Sequence, residues 1–119
     1  LESVFMAGER LDPPTYEWTK EKTGKPVIDH WWQTETGWAI ASNLIGIETL
    51  PTKPGSATKP VPGFNIQILD ALGHPVLPNT QGAIAIKLPL PPSCLATIWG
   101  DFDRFASGYL SEYLEMADT

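Results

Sequence analysis

The chain has few of the residues that several protein classes require. Its one cysteine, Cys94, excludes an internal disulfide and fits a reducing compartment. Its eight basic residues are scattered and outnumbered by fourteen acidic ones, giving a formal charge of −6, whereas nucleic acid calls for clusters of Lys and Arg. No apolar run approaches the roughly 20 residues of a membrane helix. We therefore expect no nucleic-acid or membrane partner, and a cytoplasmic location or, in a eukaryote, the mitochondrial matrix.

The first half of the chain has the pattern of a βαβ unit. Residues 2–7 are typical of a buried strand, and a helix is predicted over 13–23 with Asp12 as its N-cap and Gly24 as its left-handed C-terminal stop. A second strand is predicted over 27–31. This spacing favours a parallel sheet with a right-handed crossover, and such sheets bind ligands at the carboxyl ends of their strands.

The second half changes character after residue 50. Residues 51–62 contain four prolines and form the predicted internal boundary. Beyond it, apolar residues alternate over 64–68 and again over 84–88, which predicts two antiparallel strands of a small sheet or barrel. The fold class is therefore α/β, with the end of a parallel βαβ subdomain at 1–50 followed by an antiparallel β-barrel-like subdomain at 51–119.

Three tryptophans are predicted to serve packing. The tryptophan on the predicted helix, Trp18, is expected to pack against the sheet, and Trp38 and Trp99 against their neighbours. Near the end of the chain, four aromatic residues recur at roughly helical spacing, although Gly108 weakens that pattern. They are Phe102, Phe105, Tyr109 and Tyr113.

A βαβ unit by itself leaves the faces and edges of its sheet uncovered. The first residue is Leu rather than Met. We therefore expect the chain to be a piece of a larger protein. Pairing of exposed sheet edges in a homo-oligomer is the alternative source of the missing strands.

Residues 31–37 carry the strongest functional signal. Two adjacent tryptophans in an extended segment cannot both point into one core, because successive side chains alternate faces. One ring is therefore free to line a pocket. The hydroxyls of Thr34 and Thr36 can donate to anionic oxygens, and Glu35 is a hard oxygen ligand suited to Mg²⁺. Together these groups indicate a nucleotide-phosphate site.

Other interpretations of the same residues stay open. Glu35 taken alone fits a solvated loop carboxylate, and Asp29 fits a helix cap or a turn residue. Exposed tryptophans beside proline-rich loops also suit a non-enzymatic binding or interaction module for sugars or proline-rich peptides.

Three segments together resemble the acetyl- and propionyl-CoA synthetases of the adenylate-forming superfamily. They are Gly-Glu-Arg-Leu-Asp-Pro at 8–13, Asp-His-Trp-Trp-Gln-Thr-Glu-Thr-Gly at 29–37, and Lys-Pro-Gly-Ser-Ala-Thr-Lys-Pro-Val-Pro-Gly at 53–63. The resemblance implies an AMP-forming ligase. A short carboxylate attacks the α-phosphate of ATP to give acyl-adenylate and pyrophosphate, and the CoA thiol then displaces AMP.

The resemblance also implies a cofactor-binding set. Gly8 and Glu9 would lie against the adenine and its sugar, although Arg10 replaces the family's usual proline at the next position. Asp29 would lie at the adenine side. The set also includes Trp31, which the residues alone assign to packing, and Gln33.

Catalytic and substrate-pocket roles are implied for the rest of the segment. Thr34 matches the hydroxyl that binds the α-phosphate, and Glu35 matches the carboxylate that holds Mg²⁺. Trp32, with Gly37 nearby in the sequence, would close the acyl pocket and keep it short, which favours acetate or propionate.

The family comparison also implies that parts of the enzyme are missing. Its Gly-rich phosphate loop and its C-terminal domain have no match in this chain. Residues 116–119 look like the start of the family's Tyr-x-Thr-Gly-Asp motif. We therefore expect this piece to be inactive by itself.

Overall fold

The computed structural model describes residues 1–111, which form two compact units that part after Pro62. The elements of the first unit are β1 (Val4–Met6), α1 (Pro13–Thr23), β2 (Val27–Trp32), a 3₁₀ turn (Thr34–Thr36) and β3 (Ala39–Ser42). Those of the second are β4 (Asn65–Leu69), β5 (Ala83–Lys87) and α2 (Phe102–Tyr109). β1 and β2 are parallel neighbours, with Val4 opposite Val27, so the predicted parallel βαβ unit is confirmed.

Local signals in the sequence determine both ends of α1. The Asp12 carboxylate accepts a hydrogen bond of 3.0 Å from the Thr15 N–H, as an N-cap does. Gly24 adopts a left-handed φ of 61° and its N–H donates to the Lys20 carbonyl. Tyr16 of the helix and Leu11, which precedes its N-cap, pack with Val27 of β2 in the core. The partly buried Met6 of β1 packs against this cluster, so the start of the helix is held against the sheet.

The third strand of this sheet was not predicted. β3 lies antiparallel to β2, and the sheet order is β1-β2-β3. Most of its side chains are small, so the sequence offers little contrast between apolar and polar faces. The register also shifts opposite Trp31 and Trp32, where Ala41 and Ala39 are their partners and Ile40 is the extra residue of a bulge.

The proline-rich segment lies with the first unit. The Ser42 N–H donates to the Lys59 carbonyl and the Val61 N–H donates to the Ile40 carbonyl, so residues 59–61 run beside β3. The compact units therefore part after Pro62 rather than after residue 50. The assignment of 1–50 and 51–119 to two enzyme subdomains stays a prediction.

The second unit contains the predicted antiparallel pair. Ile66 lies opposite Ile86 and Ile68 opposite Ile84, so the predicted apolar face exists. It is only partly covered, because Ile84 is 57% exposed. Among the described residues this sheet has two strands, and the barrel stays a prediction.

Three tryptophans that were expected to pack are instead exposed. Trp18, Trp38 and Trp99 are 62%, 64% and 98% accessible, so those predictions are wrong. The buried positions of α1 are Tyr16 and Thr19, so Trp18 faces away from the sheet. Trp38 lies in a bend and Trp99 in a turn.

The helix predicted from aromatic spacing is confirmed as α2 as far as Tyr109. The predictions for Tyr113 and for residues 116–119 lie outside the described residues. Among residues 1–111, no helix is both long enough and apolar enough to cross a membrane.

Candidate functional site

The two predicted ligand segments follow neighbouring parallel strands. Residues 8–9 come just after β1, and residues 33–37 come directly after β2. In the register of the two strands, Met6 lies opposite Asp29. Because the strands are parallel, both segments leave the sheet at its carboxyl end. Gly8 and Glu9 are both exposed, and within residues 1–111 no ion pair joins Glu9 to the later segment.

Residues 33–37 fold into a single 3₁₀ turn held by Thr36. Its hydroxyl accepts a hydrogen bond of 3.1 Å from the Gln33 N–H and lies 2.8 Å from the Gln33 carbonyl and 2.9 Å from that of Trp38. The side chain is buried, and the turn ends at Gly37 with a left-handed φ of 63°. Thr36 is therefore a structural residue, and the expectation that it donates to an anion is wrong.

The other two polar side chains of the turn remain accessible. Thr34 is exposed and Glu35 is half-buried. Within the described part of the chain, no hydrogen bond ties the Thr34 hydroxyl to another residue. The turn therefore leaves a hydroxyl and a carboxylate accessible, while Thr36 holds the backbone beneath them.

The turn fits a magnesium ion that binds together with a phosphate. Mg²⁺ commonly takes one or two carboxylates plus phosphate oxygens and waters, and Glu35 supplies one such carboxylate. Among residues 1–111 no group of three or more His, Cys, Asp or Glu side chains could hold a metal by itself, in the absence of a bound nucleotide. A cation at Glu35 would therefore need oxygens from a bound nucleotide.

The paired tryptophans differ in their environment. Trp31 is half-buried in β2, whereas Trp32, the last residue of the strand, is 47% exposed. The register shift between them is the kind of irregularity that redirects side chains beside binding sites. The two indoles therefore differ in exposure, as expected from the alternation of an extended segment, and the ligand role of Trp32 stays a prediction.

Asp29 lies in β2 among polar neighbours. Partial burial raises the pKa of its carboxyl above the ordinary value, and the Leu11 backbone N–H, His30 and Arg10 oppose that rise. The His30 Nδ1 lies 2.8 Å from the Met6 carbonyl, which orients the imidazole. The sequence did not predict this contact, because it depends on the register of β1 against β2.

Replacing Thr36 with valine should destabilise the protein. The Gln33 N–H would lose its partner beneath the turn, and a lost buried hydrogen bond costs about 1–3 kcal/mol of the free energy of unfolding. Denaturant unfolding of the full-length protein measures this.

Two variants serve as controls for Thr36→Val. Thr36→Ser keeps the hydroxyl and should retain most of the stability. Thr34→Val alters an exposed side chain and should change the free energy of unfolding by no more than about 0.5 kcal/mol. Equal losses at positions 34 and 36 would contradict the structural role of Thr36.

The known proteins that this chain resembles include acyl-CoA ligases and synthetases, as the following matches show. Residues 1–93 match the model of the family described as AMP-binding enzyme. The chain is 50% identical over 95% of its length to an uncharacterised protein of Pseudomonas aeruginosa, and 45% identical over 93% to the propionate–CoA ligase of Salmonella typhimurium. It is 41% identical over its whole length to the mouse mitochondrial acyl-CoA synthetase short-chain family member 3. It spans 18% of the length of each of these relatives.

Solved structures agree with this result. A crystal structure of the Brucella canis acyl-CoA synthetase superposes with a TM-score of 0.69 at 37% identity, covering 79% of this chain and 17% of that one. The chain therefore belongs to the AMP-binding enzyme family, and the resemblance to acyl-CoA synthetases predicted from its motifs is confirmed.

Proposed function

We propose that the full-length protein is an AMP-forming short-chain acyl-CoA synthetase that converts acetate or propionate, ATP and CoA into acyl-CoA, AMP and pyrophosphate. The observation that carries this proposal is the arrangement of side chains at the carboxyl end of β2. There the exposed indole of Trp32 is followed by the exposed hydroxyl of Thr34 and the half-buried carboxylate of Glu35. The relatives named propionate–CoA ligase and short-chain acyl-CoA synthetase support the same activity.

The nucleotide would lie across the carboxyl ends of β1 and β2. Gly8 and Glu9 would contact the adenine and its sugar, with Asp29 at the adenine side. Their position after neighbouring parallel strands supports this arrangement. Trp31 and Gln33 complete the cofactor-binding set, with Trp31 acting from its packed position in β2 and Gln33 from the start of the turn.

Adenylation would depend on Thr34 and Glu35. The Thr34 hydroxyl would donate to an α-phosphate oxygen, and Glu35 would hold Mg²⁺. The bound ion would neutralise negative charge on the phosphates while the carboxylate of the substrate attacks the α-phosphate. The turn holds both side chains in place before the nucleotide binds, because its backbone is fixed by the buried Thr36. Catalysis of this kind is mainly positioning and charge stabilisation.

The acyl chain would end against Trp32. An indole fills the volume that a longer aliphatic tail would need, so it restricts the pocket to acetate or propionate. The exposure of this ring at the end of β2 supports the role. Gly37 would contribute to the pocket by leaving its side free of a side chain.

The proposal also covers the subdomains, the cellular location and the oligomeric state of the full-length protein. We infer that residues 1–50 and 51–119 belong to an α/β subdomain and a β-barrel subdomain, and that the protein is cytoplasmic or, in a eukaryote, located in the mitochondrial matrix. A homo-oligomer formed through sheet edges is a further part of the inference. β1 supports it, because among the described residues it pairs on one side only.

Carboxylate-dependent exchange of labelled pyrophosphate into ATP tests the proposal. The full-length protein should catalyse exchange with acetate or propionate, and Thr34→Val should lower the rate without unfolding the protein. A folded full-length protein that shows no exchange with any short carboxylate would overturn the proposal. That result would favour the non-enzymatic binding module that the sequence left open.

A further inference from the structure

Arg10 and Gly55 make a close contact that the site described above does not use. A Cβ atom on Gly55 would lie 3.2 Å from Nη2 and 3.6 Å from Nε of Arg10, and 3.7 Å from the Leu11 carbonyl. Gly55 also has a left-handed φ of 80°, a backbone conformation that residues other than glycine rarely adopt. The guanidinium therefore lies against bare backbone, at a place where any side chain would crowd it.

The contact joins two loops of the first unit. Arg10 directly follows Gly8 and Glu9, the pair placed at the nucleotide. Gly55 lies in a tight turn, in which the Ser56 N–H donates to the Lys53 carbonyl and the Thr58 N–H donates to the Ser56 hydroxyl. The guanidinium thus spans from the loop after β1 to the loop at 53–58.

Partial burial raises the pKa of the Asp29 carboxyl, and the Arg10 guanidinium opposes that rise less than the Leu11 backbone N–H and His30 do. Among residues 1–111 no hydrogen bond or ion pair joins Arg10 to Asp29, so the contact with Gly55 is the geometry that defines the place of the guanidinium. Arginine suits the contact with the loop at 53–58, because its rigid planar fork can lie against backbone, whereas lysine offers a compact point charge.

We propose that Arg10 is a positioning residue for the nucleotide end of the site, and that Gly55 lacks a side chain in order to admit its guanidinium. Arg10 would hold the loop that carries Gly8 and Glu9 against the loop at 53–58. The proposed function assigns the acyl pocket to Trp32, so the proposed role of Arg10 is confined to the nucleotide side. This inference rests on that function and adds a residue to its nucleotide side.

The proposal predicts a split between the two substrates of adenylation. In the full-length protein, Arg10→Ala should raise the KM for ATP about 10- to 100-fold, because a small misplacement of a positioning loop can cost up to about 10²-fold. The KM for propionate should change by less than about twofold. Arg10→Lys should recover only part of the ATP affinity, because it restores charge without the fork. A general loss of structure would affect both substrates alike.

Gly55→Ala tests the contact from the other side. It should raise the KM for ATP in the same direction but by less than Arg10→Ala does, because the added methyl group would stand 3.2 Å from Nη2 and shift the guanidinium. Gly24→Ala is its matched control: Gly24 also has a positive φ of 61°, but nothing lies within 4 Å of a Cβ placed there. That variant should lose some stability and keep its KM for ATP. Combined with Arg10→Ala, Gly55→Ala should add little, which a double-mutant cycle would show.

The outcomes separate this inference from the function beneath it. A folded wild-type protein without carboxylate-dependent exchange would overturn the proposed function. An active wild-type protein whose Arg10→Lys and Gly55→Ala variants keep the wild-type KM for ATP would overturn the positioning role alone. Equal increases in the KM values for ATP and propionate would also overturn it.

Discussion

Trp32→Gly should shift the full-length protein from short to longer carboxylic acids. The variant loses an indole that is 47% exposed at the end of β2 and that we place against the acyl tail. Each methylene that a hydrophobic pocket gains or loses changes discrimination by about 10- to 200-fold. The ratio of kcat/KM for butyrate or pentanoate to that for acetate should therefore rise by about 10-fold or more. Steady-state kinetics over a series of straight-chain acids measures it.

Trp38→Gly is the matched control for this prediction. Trp38 is 64% exposed and lies six residues further along the chain, outside the proposed pocket. Removing that indole should leave the chain-length preference unchanged. If Trp32→Gly stays folded and keeps its preference for acetate or propionate, or if Trp38→Gly shifts the preference equally, then Trp32 does not close the pocket.

Glu35→Gln should damage adenylation far more than thioester formation. The amide keeps the shape of the side chain but removes the negative charge proposed to hold Mg²⁺. Loss of one group that stabilises developing charge costs about 10²- to 10³-fold in rate, and pyrophosphate exchange should fall by that range. Release of AMP from supplied acyl-adenylate and CoA should change by less than about threefold, because that step has no triphosphate to neutralise.

Glu48→Gln separates this effect from a general change of charge. Glu48 is a surface carboxylate, 3.5 Å from the Lys59 ammonium group, and exposed pairs of this kind contribute little. Its variant should keep both half-reactions. Equal losses in the two half-reactions of Glu35→Gln would contradict the magnesium role.

The sequence predicted those parts of the fold that depend on local signals. Asp12 and Gly24 determine the ends of α1, and the structure confirms both. The alternation around Ile66 and Ile84 likewise predicted the antiparallel pair of the second unit. In each case the residues that determine the element lie within it or beside it.

The parts that the sequence missed depend on contacts between distant residues. β3 consists mostly of small side chains and pairs across a bulge, so its pattern has no clear period. The contact between Arg10 and Gly55 joins residues that are far apart in the chain. Hydrophobic periodicity and helix-cap residues are local patterns, so they do not predict such a contact.

The candidate site shows the same division. The motif at 29–37 indicates Trp32, Thr34 and Glu35 from the sequence alone, because the residue types and their order are distinctive. The residue types alone offered both Thr34 and Thr36 as donors, and only the resemblance selected Thr34 for the α-phosphate. The structure separates them, since the buried Thr36 holds the turn and the exposed Thr34 faces outward.

A crystal structure of the full-length protein with a non-hydrolysable propionyl-adenylate analogue tests the central claim most directly. The account predicts the Trp32 indole in van der Waals contact with the propionyl tail. It also predicts the Thr34 hydroxyl within hydrogen-bond distance of the phosphate-equivalent oxygens and Glu35 beside them. An analogue bound away from the carboxyl ends of β1 and β2, with Trp32 and Glu35 covered by other protein segments, would contradict it.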